Sequence, residues 1–497
     1  MRKCFNKFIC IILSALILSG VMLFSVGCDD ETAKKVFWDR KEEVVFTAGW
    51  TPASVWGDDD EKAAAAIKQI VDCGFDAFYH NVYNLGDITK PESWFDEYKN
   101  DPDKYQRDLA KYPSEIEKYN KIINRFKAGG LKYIPHLENV GMNHIVTGIG
   151  SLEGIKSSIY DDACYMVCVY DEPWYEDIDT IASWIPEYEK NYINKPFYVN
   201  LFPEYVNAGG LVGGRELGGH TYEEYVSDFC DKVLKKLKGE KWLVVDIYPY
   251  KESGLEPTWL NNMSLVAENL KEIYGGHFMM HFQTCSYSTG GNDTDEHRRA
   301  VNLADMYQQA WMNMAFGVEA ISCYTYARPG LGGNSMHNGD KMSMVNDDGT
   351  PTHIYYDVQT VIKAMKEFDE IYLKYKYDGV KTYLANESFN NHDYNPAFDA
   401  LTTELKSLKD IDSVWCTADT VITQLYDKNQ NYAYVAVNFE NPKEEITDNL
   451  TIKLNDSSSV TVYTFSGDKL VTEIVPVVNG VINVSLGAGE GCMLVPN

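Results

Sequence analysis

The stretch Ala163-Cys164-Tyr165-Met166-Val167-Cys168-Val169-Tyr170-Asp171-Glu172-Pro173-Trp174 runs from an unbroken apolar segment straight into two adjacent carboxylates. An apolar run of this length without polar alternation reads as a strand buried on both faces, the kind that parallel sheets contain. Acids at the carboxyl end of such a strand stand where barrel enzymes do chemistry, although the same pair also suits the start of a helix.

Seven further segments have the same texture, so the strand candidates are residues 44–50, 75–81, 131–138, 164–171, 197–202, 242–248, 277–283 and 318–326. Between them lie helix-periodic segments such as 61–71, 116–127, 222–237, 265–274 and 298–316, with a last one at 355–372. Eight alternations of strand and helix close into a (β/α)8 TIM barrel, an α/β fold. Beyond Lys374 the texture changes to short β-branched runs at 421–425, 432–439, 449–454, 460–465, 471–475 and 481–495, punctuated by Asn, Asp and Gly turns. That pattern predicts a C-terminal antiparallel β-sandwich. The expected organisation is a signal segment at 1–27, a linker at 28–43, the barrel at 44–374 and the sandwich at 375–497.

The first residues carry Arg2, Lys3 and Lys7 ahead of an uncharged apolar run, and Ser25-Val26-Gly27-Cys28 resembles a bacterial lipobox, with Ser25 where such boxes place Leu. The expectation is export with lipid on Cys28, so that the protein works on the outer side of a cell membrane. The net charge is -28, and loss of the three basic residues would take the mature chain to -31. So acidic a surface is repelled by nucleic acid and anionic lipid, which are bound through Lys and Arg. Of the 11 cysteines, Cys164, Cys168, Cys285 and Cys323 sit in apolar runs as core residues, and no spacing fits a zinc site. The acidic run Asn292-Asp293-Thr294-Asp295-Glu296 reads as a helix start. No metal or cofactor is called for.

A barrel brings its strand ends to one mouth, and here they carry Trp50, His80, Asn81, His136, Glu138, Asp171, Glu172, Asn200, Glu204, Asp246, Tyr248, His281, Gln283, Tyr324, Tyr326 and Arg328. Hydrogen-bonding groups mixed with flat aromatic faces suit a sugar, with its rim of hydroxyls and apolar C–H face. Glycosidic hydrolysis requires two carboxyl groups in opposite protonation states. Glu172 is the candidate acid, kept protonated by Tyr170, Trp174 and the charge of Asp171; Asp246, an acid in an apolar strand, is the candidate ionised nucleophile or base. The other candidate sugar contacts are Trp50, His80, Asn81, His136, Glu138, Asp171, Asn200, Glu204, Tyr248, Gln283 and Tyr324.

Asp171-Glu172-Pro173, Asp246-Ile247-Tyr248-Pro249, the run 315–326 (AFGVEAISCYTY) and the run 346–357 (NDDGTPTHIYYD) resemble barrel glycoside hydrolases related to the family 42 β-galactosidases over residues 44–372. The resemblance implies an acid/base role for Glu172. It departs in two places: Asp171 stands where that clan has Asn, and His281-Phe282-Gln283-Thr284 stands where it has a nucleophilic Glu. The expectation is an extracellular glycosidase acting on an oligo- or polysaccharide; the alternative is a carbohydrate-binding lipoprotein on the same barrel.

Overall fold

The computed structural model describes residues 41–49, 59–81, 102–136, 158–208, 216–288, 297–327, 342–386, 394–455 and 457–497. Eight parallel strands close a barrel: β1 (Val45–Ala48), β2 (Ala77–Asn81), β3 (Lys132–His136), β4 (Val167–Asp171), β5 (Phe197–Leu201), β6 (Lys241–Asp246), β9 (Gly276–Gln283) and β12 (Ala320–Tyr324). Each lies beside the preceding barrel strand, and β12 returns to pair with β1. Around it run α1 (Asp60–Cys73), α2 (Pro102–Ala128), α3 (Ile178–Tyr192), α4 (Tyr222–Lys232), α5 (Trp259–Lys271), α6 (Leu303–Ala315) and α7 (His353–Tyr372). The helices begin where the sequence supplies caps. Asp59 accepts from the Lys62 amide, and Thr221 and Asn302 form capping boxes with Glu224 and Asp305.

Strand alternation splits the apolar residues into two layers. Ala77, Tyr79, Ile134, Met166, Cys168, Tyr198, Trp242, Val244, Met279 and Ala320 fill the barrel interior. Their neighbours Val167, Val199, Val245, Met280 and Ile321 join the larger core under the helices. One irregularity breaks the alternation: the register of β4 against β5 shifts between Cys168 and Tyr170. Such a bulge adds a residue to one strand and reverses the facing of everything after it. The loops that follow β6 and β9 carry four two-residue strands, β7 (Tyr250–Lys251), β8 (Gly254–Leu255), β10 (Tyr287–Ser288) and β11 (His297–Arg298), which form their own small sheet. Arg298 therefore ends a strand and does not start the helix expected at 298–316, which begins at Leu303.

The C-terminal region packs a six-stranded sheet against a three-stranded one, in the orders β13-β15-β16-β21-β18-β19 and β14-β17-β20. The strands are β13 (Tyr375–Tyr383), β14 (Ile411–Trp415), β15 (Thr420–Asp427), β16 (Tyr432–Asn438), β17 (Asp448–Leu454), β18 (Ser459–Ser466), β19 (Lys469–Pro476), β20 (Val481–Leu486) and β21 (Gly491–Pro496), with a short α8 (Pro396–Ala400) after β13. Ile422, Tyr434, Ala436, Leu450, Ile452, Ile482 and Leu494 fill the space between the sheets. Residues 481–495, one apolar run in the sequence, are two strands in different sheets. The eight described cysteines are all buried.

Candidate active site

Alternation along β5 and β6 carries Asn200 and Asp246 inward, above Tyr198 and Val244. The bulge in β4 sends Tyr170 outward onto Trp184 of α3, at 6.2 Å between rings, and leaves Asp171 paired with Asn200 across the strands. The Asn200 side-chain amide donates to Asp171 Oδ1 at 2.9 Å. The Tyr248 hydroxyl donates to Asp246 Oδ2 at 3.0 Å, while the buried Asp246 Oδ1 has no hydrogen-bond partner among the described residues. Burial, followed by the charge of Asp171, pushes the Asp246 carboxyl up to about 7, against the opposing hydrogen bonds of Tyr248 and Asn200. The direction is opposite to the ionised Asp246 that the sequence suggests, and desolvation is the larger of the two causes.

Glu172 is half-buried at the turn that leaves β4, its backbone N–H donating to the Asn200 carbonyl at 2.8 Å. Its φ of 48° lies in the left-handed region, which costs a non-glycine residue about 1–2 kcal/mol. The Tyr225 hydroxyl of α4 donates to the next carbonyl, that of Pro173, at 2.7 Å and holds the turn. Trp174 is 38% exposed, and the Tyr170 ring lies against Trp184. It is Asp171, not Glu172, that Asn200 bridges toward Asp246.

The remaining predicted residues divide. His281 faces Asp246 in register, its ring 6.4 Å from that of Tyr79; burial drives its imidazole down to about 3, so it is neutral. His136 is buried at the end of β3. The ring of Tyr324 lies 5.1 Å from that of Tyr248, with Cys285 in the same cluster, and forms an aromatic wall. Gln283 is a correction. Its amide nitrogen donates to the carbonyls of Tyr250 and Arg299 and its oxygen accepts from the Tyr250 amide, so it holds backbone and has no donor left for a ligand. Glu204 also departs from expectation: both its oxygens accept from Asn261 of α5, at 2.8 and 3.0 Å, and burial, reinforced by the charge of Glu256, pushes it up to about 7. Tyr326 packs outward against Phe75 and Phe78. The backbone of His80 and Asn81 closes β2, while their side chains, with Trp50, Glu138, Arg328, Cys28 and the 292–296 run, lie outside the described residues.

Sequence reasoning missed Tyr222 and Tyr225, two buried residues of α4 whose hydroxyls feel the charge of Asp246. The signal was present, because the Thr221-Glu224 capping box starts the helix and sets these two tyrosines three apart on one face. Among the described residues no group of three or more His, Cys, Asp or Glu side chains has the grouping of a metal site.

No protein-family model and no curated protein sequence matches the chain. Solved structures of similar outline include a GH30 endoxylanase from Clostridium papyrosolvens C71, at 12% identity over 92% of this chain and 97% of that one, with a TM-score of 0.38. A family 5 glycoside hydrolase from Bacteroides vulgatus ATCC 8482 has 10% identity over 91% and 89%, with a TM-score of 0.44. A β-galactosidase from Rahnella sp. R3 has 8% identity over 69% and 58%, also with a TM-score of 0.44. Likeness at this level adds nothing to the barrel that the strand order establishes, and function rests on the side chains.

Proposed function

We propose that the chain is a glycoside hydrolase cleaving O-glycosidic bonds in an oligo- or polysaccharide, with Asp246 as the acid and Asp171 as its ionised partner. The observation that carries this reading is the Asp171-Asn200-Asp246 constellation at adjoining strand ends. A buried carboxyl beside a second one holds its proton more tightly than a free one, and an amide N–H on the second supports its charge, which pushes the two groups apart toward acid and base. The Tyr248-Tyr324 wall offers a face for the apolar side of a pyranose. Glu172, on the rim in a strained conformation, is the alternative partner to Asp246.

Variants separate these roles. Asp246→Asn should lose turnover of natural glycans while activated aryl glycosides, whose leaving groups need no proton, still undergo bond cleavage. Asp171→Asn should lose both. If Glu172→Gln loses both and Asp171→Asn neither, Glu172 is the partner.

A second reading, carbohydrate binding without turnover, is favoured by one feature: the end of β9 presents Gln283, its amide committed to backbone, in place of a carboxylate. Calorimetric binding of glycans by a wild type that cleaves none of them would establish it. We also propose that lipid on Cys28 tethers the protein outside the cytoplasm; no helix among the described residues is long and apolar enough to cross a membrane. Cys28→Ala should move the protein from the membrane fraction to the soluble one, and retention at the membrane would refute the anchor.

A further inference from the structure

Two adjacent glutamines on α6 face different partners. The Gln309 oxygen accepts from the Gln283 backbone amide at 2.7 Å, and its nitrogen donates to the Gln283 carbonyl at 3.2 Å. Gln283 repeats the pattern one step on, clasping Tyr250 at its amide and its carbonyl. The Gln308 nitrogen donates to the Asn438 and Glu440 carbonyls of the sandwich at 2.9 and 2.7 Å, and its oxygen accepts from the Tyr250 hydroxyl at 3.1 Å. A second bridge runs through Arg299. Its backbone amide donates to the Tyr250 carbonyl at 3.0 Å, and its guanidinium is held by both oxygens of Asp305, at 2.7 and 2.6 Å, and by Asn441 Oδ1 of the sandwich at 3.0 Å. Both bridges therefore converge on Tyr250, two residues beyond Tyr248 and four beyond Asp246.

We infer that the sandwich is a positioning element of the barrel mouth, with Gln308, Arg299 and Asn441 acting through Tyr250 and Gln283 to hold the segment Asp246–Tyr250 in place. The physical reason is satisfaction of buried polar groups. Gln308, Gln309, Gln283 and Arg299 are all nearly inaccessible, so displacing the segment would orphan the side-chain and backbone amide donors that it now pairs. Tyr248 is thus held where its hydroxyl meets Asp246, and the Asp246 carboxyl stays buried. The groups facing Asp246 are Asp171 and Asn200 from β4 and β5, His281 from β9, Tyr222 and Tyr225 from α4, and Tyr248 from its own segment. None of them belongs to the bridges, so a change at the sandwich reaches Asp246 only through position.

The test uses the full chain with Asn441→Leu, which removes the Arg299 acceptor, Gln308→Met, which removes the sandwich contacts at similar volume, and Asn441→Asp, which keeps an acceptor oxygen. The readout is the protonation midpoint of Asp246, followed by infrared difference spectroscopy of the carboxyl band and assigned by its loss in Asp246→Asn. Because desolvation is the largest cause of the raised midpoint, a loosened segment that admits water should lower it, by roughly half a pH unit or more, in Asn441→Leu and Gln308→Met but not in Asn441→Asp. An unmoved midpoint in both folded variants overturns the inference, as does an equal shift in Asn441→Asp. Should either variant fail to fold, hydrogen exchange of the Tyr248 and Tyr250 amides in the other decides: faster exchange there than in β5 supports positioning, unchanged exchange refutes it. These readouts do not depend on the glycosidase reading. If that reading holds as well, Asn441→Leu should lower kcat/KM about tenfold, within the range that small misplacements of reacting groups cost.

Discussion

The two ends of the barrel handle charge in opposite ways. At the amino-terminal end, Glu319 receives the Lys41 backbone amide at 2.8 Å and lies 3.1 Å from His277 Nδ1, and the Lys41 ammonium pairs with Glu240 while lying over the Trp242 ring. Each carboxylate there has a donor or cation against it. At the carboxyl-terminal end, Asn200 donates to Asp171 and Tyr248 to Asp246, yet the charge of Asp171 bears on the buried Asp246, and Glu172 follows in a backbone conformation that L-residues avoid. Stability is satisfied at one end, and free energy is held in an unfavourable arrangement at the other. That division matches the general separation of stability and function between the two faces of such barrels.

The largest expected effect would break the comparison if absent. Asp246→Asn should reduce turnover of natural glycans by about 10²- to 10⁴-fold, measured as kcat/KM, the range for loss of a positioned acid. The same substitution should raise stability. The folded carboxyl titrates near 7 instead of 3.8, so its destabilising contribution is absent below about pH 4, grows as the pH rises and is complete above about pH 7. Thermal unfolding at pH 8 should therefore favour Asp246→Asn over wild type by up to about 4 kcal/mol, with little difference at pH 4. A constant difference across that range would mean that Asp246 does not titrate as its burial implies.

At the opposite end the sign should reverse. Glu319→Ala removes the acceptor from the Lys41 amide and from His277 and should destabilise the fold by about 3 kcal/mol, seen in denaturant midpoints, with the glycan specificity of any activity unchanged. The smallest effect sharpens the comparison at Glu172. Glu172→Gly relieves the left-handed strain and should add about 1 kcal/mol at most, offset in part by the greater entropy of an unfolded glycine. A clear loss of stability would instead show that the side chain is a structural anchor.

Much of the fold was legible because a strand buried on both faces has to be continuously apolar, and eight such runs are hard to arrange except around one axis. β13 and β14 were less visible, since Tyr375–Tyr383 and Ile411–Trp415 mix charged and apolar residues on half-exposed strands. In the site, Asp171, Asn200, Asp246, Tyr248, His281 and Tyr324 could be named from strand ends. Their roles could not, because facing and proton affinity depend on neighbours from other strands.

The sequence by itself determined the eightfold alternation, the antiparallel C-terminal strands and the gathering of acids and aromatics at one end, all consequences of local period and composition. Only the tertiary structure decided which of the two adjacent acids turns inward, because the bulge between Cys168 and Tyr170 reverses facing with a single extra residue and leaves no mark in the two-residue period. It also decided which carboxyl has its proton affinity raised. That is set by desolvation and by a like charge delivered from a strand some seventy-five residues away in sequence, quantities that exist only once the chain has closed on itself.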